Sequence, residues 1–163
     1  RREHRAANGF TWGPIQEVAI LFAGIFTCII PVMAMLQAGA NGPFAALLAL
    51  VTHTDGSNNP LAYFWLTGGL SSFLDNAPTY LVFFQLAGGD PQVLMTAQAA
   101  TLAAISMGAV FMGAMTYIGN APNFMVYAIA NERGIRMPSF FGYMLWSLGI
   151  LLPTFLLLSW IRF

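Results

Sequence analysis

The sequence predicts an all-α polytopic membrane protein, with transmembrane helices, one re-entrant hairpin and one broken helix. Its 163 residues include six basic and six acidic side chains, against 58% hydrophobic residues and a mean hydropathy of +0.69. A typical soluble domain has about 25% charged residues. Four long stretches contain no charged residue at all: 18–54, 56–74, 91–131 and 137–161. Apolar stretches of this length are typical of membrane spans.

The composition also excludes several classes of function. No basic patch is present that could neutralise phosphates, so nucleic acid is not an expected partner. The single cysteine, Cys28, and the two distant histidines, His4 and His53, form neither a disulfide framework nor a metal-binding motif. We therefore expect no enzymatic activity and no cofactor, and the lipid bilayer is the first expected partner.

The first predicted elements are a short lead-in and a transmembrane helix. Residues 1–16 are expected to form a cytoplasmic or interfacial lead-in, in which Trp12 is placed like an anchor at the membrane–water boundary. The transmembrane domain then covers 17–163. Its first helix, 18–36, is about 28 Å long, enough for the hydrocarbon core. Pro31 is expected to kink this helix.

The remaining apolar segments differ in length and continuity. Segment 44–52 is too short to span a bilayer, whereas 61–87 and 93–130 are long but interrupted in the middle. The polar loop 131–137 separates them from a last helix, which Pro138 is expected to open. Four glycines are expected to allow close helix packing: Gly68, Gly69, Gly108 and Gly113.

The arginine residues predict the orientation, because basic residues are enriched on the cytoplasmic side of a membrane. They cluster at the N-terminus and in the loop 131–137, and both clusters are cytoplasmic only if an even number of crossings separates them. Helix 18–36 and segment 93–130 supply two crossings if 61–87 is a re-entrant hairpin, and the C-terminus then lies outside. If 44–52 and 61–87 both cross, the number is also even, so this alternative stays open.

The most informative feature is an internal repeat, in which residues 72–83 align with 116–127. Four of the twelve aligned pairs are identical: Asn76/Asn120, Ala77/Ala121, Pro78/Pro122 and Val82/Val126. Six further pairs keep their chemical class, and two change character: Asp75/Gly119 and Thr79/Asn123. Shared apolar composition alone would not place two Asn-Ala-Pro triplets between matching aromatic residues.

Each triplet predicts a discontinuous helix. Proline removes a backbone donor and clashes with the preceding turn, while the asparagine before it can cap the next half-helix. In lipid, the free backbone groups of such a break must be buried or line a cavity, and paired breaks are typical of a transporter's binding site. Carbonyl and asparagine oxygens suit Na⁺, whereas the N–H ends suit an anion. The alternative is a pair of ordinary proline kinks.

Asp75 is the only acidic residue well inside an apolar segment, and ionisable groups at that depth are functional candidates. Burial disfavours the charged form of a carboxyl group. We therefore predict that Asp75 carries a proton and binds Na⁺ when ionised, with the Na⁺ site at Asp75, Asn76 and Asn120. The alternative is a permanently paired capping aspartate.

These residues resemble the ion transporter superfamily that includes citrate and dicarboxylate carriers, arsenite pumps and sodium–proton antiporters. Four segments are similar to a bacterial branch associated with citrate transport or sodium–proton antiport: 17–26, 64–84, 108–129 and 137–146. The resemblance implies one inverted repeat of a secondary transporter of the bacterial inner membrane, with 61–87 as the hairpin and 93–131 as the broken helix. It also implies that the chain is the second half of a longer transporter, whose N-terminal repeat is then a partner. A second copy of the chain is a further candidate partner.

By the same resemblance, the ion or substrate site comprises twelve residues of the two breaks: Ser72, Asp75, Asn76, Ala77, Pro78, Thr79, Thr116, Gly119, Asn120, Ala121, Pro122 and Asn123. The leading hypothesis for function is Na⁺/H⁺ antiport. The alternative is Na⁺- or H⁺-coupled transport of citrate or another dicarboxylate, although no Arg or Lys lies within an apolar segment to pair with it. An intramembrane aspartyl protease would need a second deep aspartate, and a non-transporting structural subunit would have no use for paired breaks.

Overall fold

The structure, a computed structural model, describes residues 5, 7 and 12–163. Most of the predicted lead-in, including Arg1 and Arg2, lies outside the described residues. Over 12–163 the chain is helical and forms no strand beyond one isolated bridge between Thr52 and Asn58, which confirms the all-α prediction. The α-helices of this part are α1 (Gly13–Gln37), α2 (Ala45–Val51), α3 (Pro60–Ser71), α4 (Asn76–Leu86), α5 (Pro91–Met95), α6 (Ala99–Phe111), α7 (Ala121–Glu132) and α8 (Phe140–Arg162), with 3-10 turns at Gly39–Asn41 and Met112–Met115.

Helices α3 and α4 form an antiparallel hairpin. The first ends at Ser71 and the second begins at Asn76, so the chain reverses over four residues. At the open end of the hairpin the ring of Tyr63 packs edge-on against that of Phe83, with 6.2 Å between the ring centroids. Because Tyr63 lies near the start of α3 and Phe83 near the end of α4, the two helices run in opposite directions. That both ends of this hairpin face one side of a membrane stays a prediction.

Helices α3 and α6 pack closely through two of the predicted glycines. A Cβ atom on Gly108 would lie 2.5 Å from the carbonyl oxygen of Phe64, and one on Gly68 would overlap the Met112 side chain. The prediction was wrong for Gly69, which lies on the exposed side of α3 with no atom within 4 Å of its Cβ position. Contact between the two helices therefore depends on glycines that face the partner helix.

The two packed helices run parallel. Just before their starts, the Asn58 amide donates a hydrogen bond to the Gln98 side-chain oxygen at 2.7 Å. At their far ends, the Ser72 hydroxyl lies 3.0 Å from the carbonyl oxygen of Met112. The two helix breaks therefore lie at the same end of the molecule.

Helices α1 and α8 flank this core and point the same way as α4. The middle of α1 lines a cavity with Asp75, and its last residue, Gln37, lines another with Gln85 near the end of α4. Helix α8 begins beside the second break and ends where the ring of Phe163 packs 5.7 Å from that of Phe64. The starts of α1 and α8 therefore lie toward the end of the molecule that carries the breaks.

One helix of the described residues, α8, is long and apolar enough to cross a membrane. Two further helices are apolar but shorter, Phe22–Gln37 and Ala99–Met115. The several crossings expected from the sequence therefore stay a prediction. The expectation that Pro138 opens the last helix was wrong. Helix α8 starts at Phe140, and Ser139 caps it by accepting a hydrogen bond from the N–H of Gly142 at 3.2 Å.

Candidate functional site

The helices are interrupted at both Asn-Ala-Pro motifs, but the capping differs from the expectation. Asp75, rather than Asn76, caps α4: its Oδ1 atom accepts a hydrogen bond from the Ala77 N–H at 3.1 Å. Asn120 occupies the cap position of α7, but its side chain makes no capping hydrogen bond. The prediction that asparagine caps the second half-helix was therefore wrong at both motifs. At the first, the carboxylate one residue earlier already accepts the N–H group.

The two breaks contact each other through buried hydroxyl groups. The Thr116 hydroxyl donates a hydrogen bond to the carbonyl oxygen of Ser72 and accepts one from the Gly119 N–H at 3.0 Å. Ser72 and Thr116 are aligned positions of the internal repeat, so the repeat brings equivalent residues together. Both side chains are buried. The predicted meeting of the two breaks is thus present, whereas the role of these residues in ion binding stays a prediction.

Gly119 lies directly against the first break. A Cβ atom there would lie 2.6 Å from the carbonyl oxygen of Gly113, 2.8 Å from that of Ser71 and 2.9 Å from that of Ser72. Three carbonyl oxygens, contributed by both breaks, therefore converge beside a position that tolerates no side chain. Carbonyl oxygens of unwound helices are the groups that coordinate Na⁺ in secondary transporters.

Side chains from other segments satisfy the irregular backbone before the second break. Six carbonyl groups of 109–116 accept such hydrogen bonds: Ala109 from Ser71 (2.5 Å), Met112 from Ser72 (3.0 Å), Gly113 from Asn123 (3.2 Å), Ala114 from Tyr143 (3.0 Å), Met115 from Ser147 (2.7 Å) and Thr116 from Asn123 (3.4 Å). In a membrane an irregular backbone persists only with such partners. Sequence reasoning missed Tyr143 and Ser147, although two polar groups four residues apart on an apolar helix share one face.

Asp75 and Asn76 line different cavities. Asp75 lines a cavity of about 440 Å³, the Asp75 cavity, whose other lining residues include Cys28 of α1 and Pro78 of α4. Asn76 lines a second cavity of about 440 Å³ with Ser106 of α6. In the described part of the chain, no hydrogen bond links Asp75, Asn76 and Asn120. The three residues predicted to hold Na⁺ therefore form no hydrogen-bonded cluster.

The other predicted site residues have mainly structural contacts. The Thr79 hydroxyl donates to the Asp75 carbonyl oxygen of its own helix at 3.0 Å, and Ala77 lines the same cavity as Asn76. Pro122 lies in the first turn of α7. Helix α7 starts at Ala121, whose side chain lies outside the described part of the structure.

A family model described as "Putative citrate transport" matches residues 1–163, the whole chain. No curated protein and no solved structure matches it. The family match confirms the resemblance to the ion transporter superfamily that the repeated motif and its flanking segments indicated.

Proposed function

Because the chain belongs to this transporter family, we propose that it forms part of a secondary transporter that exchanges Na⁺ for H⁺ at its two helix breaks. The observation that carries the proposal is the contact between the breaks. The carbonyl oxygens of Ser71, Ser72 and Gly113 lie close together beside Gly119, and carbonyls of interrupted helices are the ligands that secondary transporters use for Na⁺. These carbonyls belong to both breaks, so a bound Na⁺ would hold the two together.

Asp75 supplies the group that would exchange the proton. Its carboxylate is half-buried at the start of α4, in a cavity lined otherwise by largely apolar residues. One oxygen caps the helix, and in the described residues the other has no hydrogen-bond partner. No Arg or Lys occurs anywhere in 6–132 to neutralise the charge. A carboxylate can bind either a proton or a cation, so H⁺ and Na⁺ would compete for this side chain.

The alternative is Na⁺- or H⁺-coupled transport of citrate or another dicarboxylate, which the family description favours. The start of α7 would serve such an anion, because Asn120 leaves the first N–H groups of the helix without a side-chain cap. The lack of any Arg or Lys in 6–132 argues against this function, since a carboxylate substrate usually binds a cationic side chain.

The two functions are separated by following proton movement in vesicles that contain the whole transporter and a pH-sensitive dye. Asp75→Asn should abolish proton flux on addition of Na⁺, because the amide keeps the shape of the side chain but exchanges no proton. Asn76→Ala and Asn120→Ala should weaken the response to Na⁺ several-fold, because each removes an amide oxygen that would bind the ion, and the loss of one polar contact costs on the order of 1 kcal/mol.

Asp90→Asn is the matched control. Asp90 is an exposed aspartate that caps α5, accepting the N–H groups of Gln92 and Val93 at 2.8 and 3.2 Å. Its replacement alters a cap without touching either break, so exchange should continue. Normal exchange by Asp75→Asn would refute the antiport proposal, and uptake of labelled citrate by the same vesicles would then favour the alternative.

We also propose a location in the bacterial inner membrane, with the N-terminus and the loop 131–137 in the cytoplasm and the C-terminus outside. The support is the common direction of α1 and α8, whose starts follow the two arginine clusters and lie toward the same end of the molecule. Basic residues favour the cytoplasmic side.

A further inference from the structure

The Asp75 cavity combines apolar walls with a single carboxylate. Nine of its twelve described lining residues have aliphatic, aromatic or proline side chains, and the other three are Cys28, Asp75 and Thr79. The Thr79 hydroxyl already donates a hydrogen bond to the Asp75 carbonyl oxygen at 3.0 Å. The cavity therefore offers a ligand extensive apolar contact and one charged group.

The cavity is elongated, and its carboxylate lies at one end. Its lining covers residues 75–82 of α4 and 25–32 of α1, which point the same way, so each helix contributes a wall about 10 Å long. The volume of about 440 Å³ is in the range of pockets that hold small organic ligands, roughly 300–1,000 Å³. The cavity is open along one side, where Cys28, Leu70 and Leu74 are exposed. An elongated apolar molecule can therefore enter from the side and lie with one end at the carboxylate.

The charges around this carboxylate favour a cationic ligand. One oxygen of Asp75 accepts the Ala77 N–H, and in the described residues the other oxygen has no hydrogen-bond partner. No Arg or Lys occurs in 6–132 to pair with it. A carboxylate in apolar surroundings is costly unless an opposite charge with hydrogen-bond donors binds it. The missing counter-charge must therefore come from outside this part of the chain.

An organic ammonium ion fits this cavity better than a metal ion does. A metal ion gives up its hydration shell where several oxygen atoms replace it. The carbonyl oxygens of Ser71, Ser72 and Gly113, which lie beside Gly119, are not part of the lining. An ammonium group needs a single counter-charge, and its apolar substituent replaces water along the walls.

We propose that the Asp75 cavity binds a small amphiphilic amine. Its ammonium group donates a hydrogen bond to the free oxygen of Asp75, and its apolar chain lies between α1 and α4. The amine reaches the cavity from the bilayer, through the open side. This ligand class goes beyond the proposed function, because the binding needs neither Na⁺ nor transport.

Cys28 reports on the occupant, because its exposed thiol lines the cavity. The whole transporter, in lipid nanodiscs without Na⁺, is treated with the neutral reagent methyl methanethiosulfonate, and modification of Cys28 is followed by mass spectrometry. The probe is hexylamine at neutral pH, compared with hexanol, which has the same chain without the charge, and with hexanoate, which has the opposite charge.

Hexylamine should slow the modification of Cys28 in a saturable manner. Hexanol should need a concentration at least about tenfold higher for the same protection, because it lacks the hydrogen bond between two charged groups. Hexanoate should not protect, because the carboxylate repels it.

Two variants with matched controls test the two parts of the site. In Asp75→Asn the amide keeps the shape of the side chain, so hexylamine and hexanol should protect equally, whereas Asp90→Asn should keep the preference for the amine. Val82→Trp, at the far end of the cavity, should raise the protecting concentration of hexylamine several-fold. Leu81→Trp should not, because Leu81 lines the cavity of Asn76 instead.

Equal protection by hexylamine and hexanol in the unmodified protein would overturn the amine assignment, as would an undiminished preference in Asp75→Asn. A Cys28 thiol that does not react even without a ligand would show that the cavity is covered in the whole transporter, and would overturn the site. These measurements follow no transport, so they fail separately from the antiport proposal. Loss of exchange in Asp75→Asn without protection by hexylamine would reject the amine site and retain the antiporter.

Discussion

Replacing Gly119 by alanine tests whether the two helix breaks are packed against each other as the structure shows. The new methyl group would lie 2.6, 2.8 and 2.9 Å from the carbonyl oxygens of Gly113, Ser71 and Ser72. Overpacking usually costs about 1–3 kcal/mol. All three neighbours here are backbone atoms that cannot rotate away, so we expect the upper end of that range, with the two breaks forced apart.

The assay is thermal unfolding of the purified transporter in detergent. A loss of about 3 kcal/mol in the free energy of unfolding lowers the unfolding midpoint by roughly 6–12 °C for a domain of this size. Gly69→Ala is the matched control: no atom lies within 4 Å of its Cβ position, and alanine in a helix interior is more stable than glycine by about 0.5–1 kcal/mol. Gly113→Ala, whose Cβ would lie 3.0 Å from the Gly119 carbonyl oxygen, should fall between them. Equal midpoints for Gly119→Ala and Gly69→Ala would refute the packing.

Two further predictions concern α8 and the orientation. Ser147→Ala should destabilise the protein by about 1–3 kcal/mol, because the Met115 carbonyl loses its side-chain donor, while Thr154→Ala, which removes an exposed hydroxyl bonded within its own helix, should change the unfolding midpoint little. In a cysteine-free background, Arg133→Cys should react with an impermeant thiol reagent only in inside-out vesicles and Phe163→Cys only in intact cells. Reaction of position 133 from outside would contradict the proposed orientation.

The helical class and the places of both breaks could be predicted from the sequence because each depends on local chemistry. Charge-free stretches indicate helices in lipid, and Pro78 and Pro122 each lie two residues after an asparagine at the start of a helix. The meeting of the two breaks was also predictable, since unsatisfied backbone at membrane depth needs partners. None of this depends on knowing which helix faces which.

The partners of the broken backbone could not be predicted, because they depend on the packing of distant segments. Tyr143 and Ser147 reach the carbonyls of Ala114 and Met115 only because α8 returns beside the second break. Asp75 became the cap of α4 through the backbone conformation one residue before the asparagine, a detail that the Asn-Ala-Pro triplet does not encode. The hydrophobic pattern of 93–111 likewise gave no indication that the chain leaves the helical conformation between Met95 and Ala99.

The two aligned pairs that differ in character, Asp75/Gly119 and Thr79/Asn123, are those at which the two breaks make different contacts. Where the first break has the carboxylate of Asp75, the second has Gly119, because backbone carbonyls of the first break occupy the space that a side chain would need. Where the first has Thr79, bonded within its own helix, the second has Asn123, whose amide donates to the carbonyls of Gly113 and Thr116. The shared triplet therefore interrupts both helices, while the differing pairs allow one break to pack against the other and leave a single carboxylate at the first break. Two identical breaks would place either two carboxylates or none here, whereas the proposed antiport relies on the one carboxylate of Asp75.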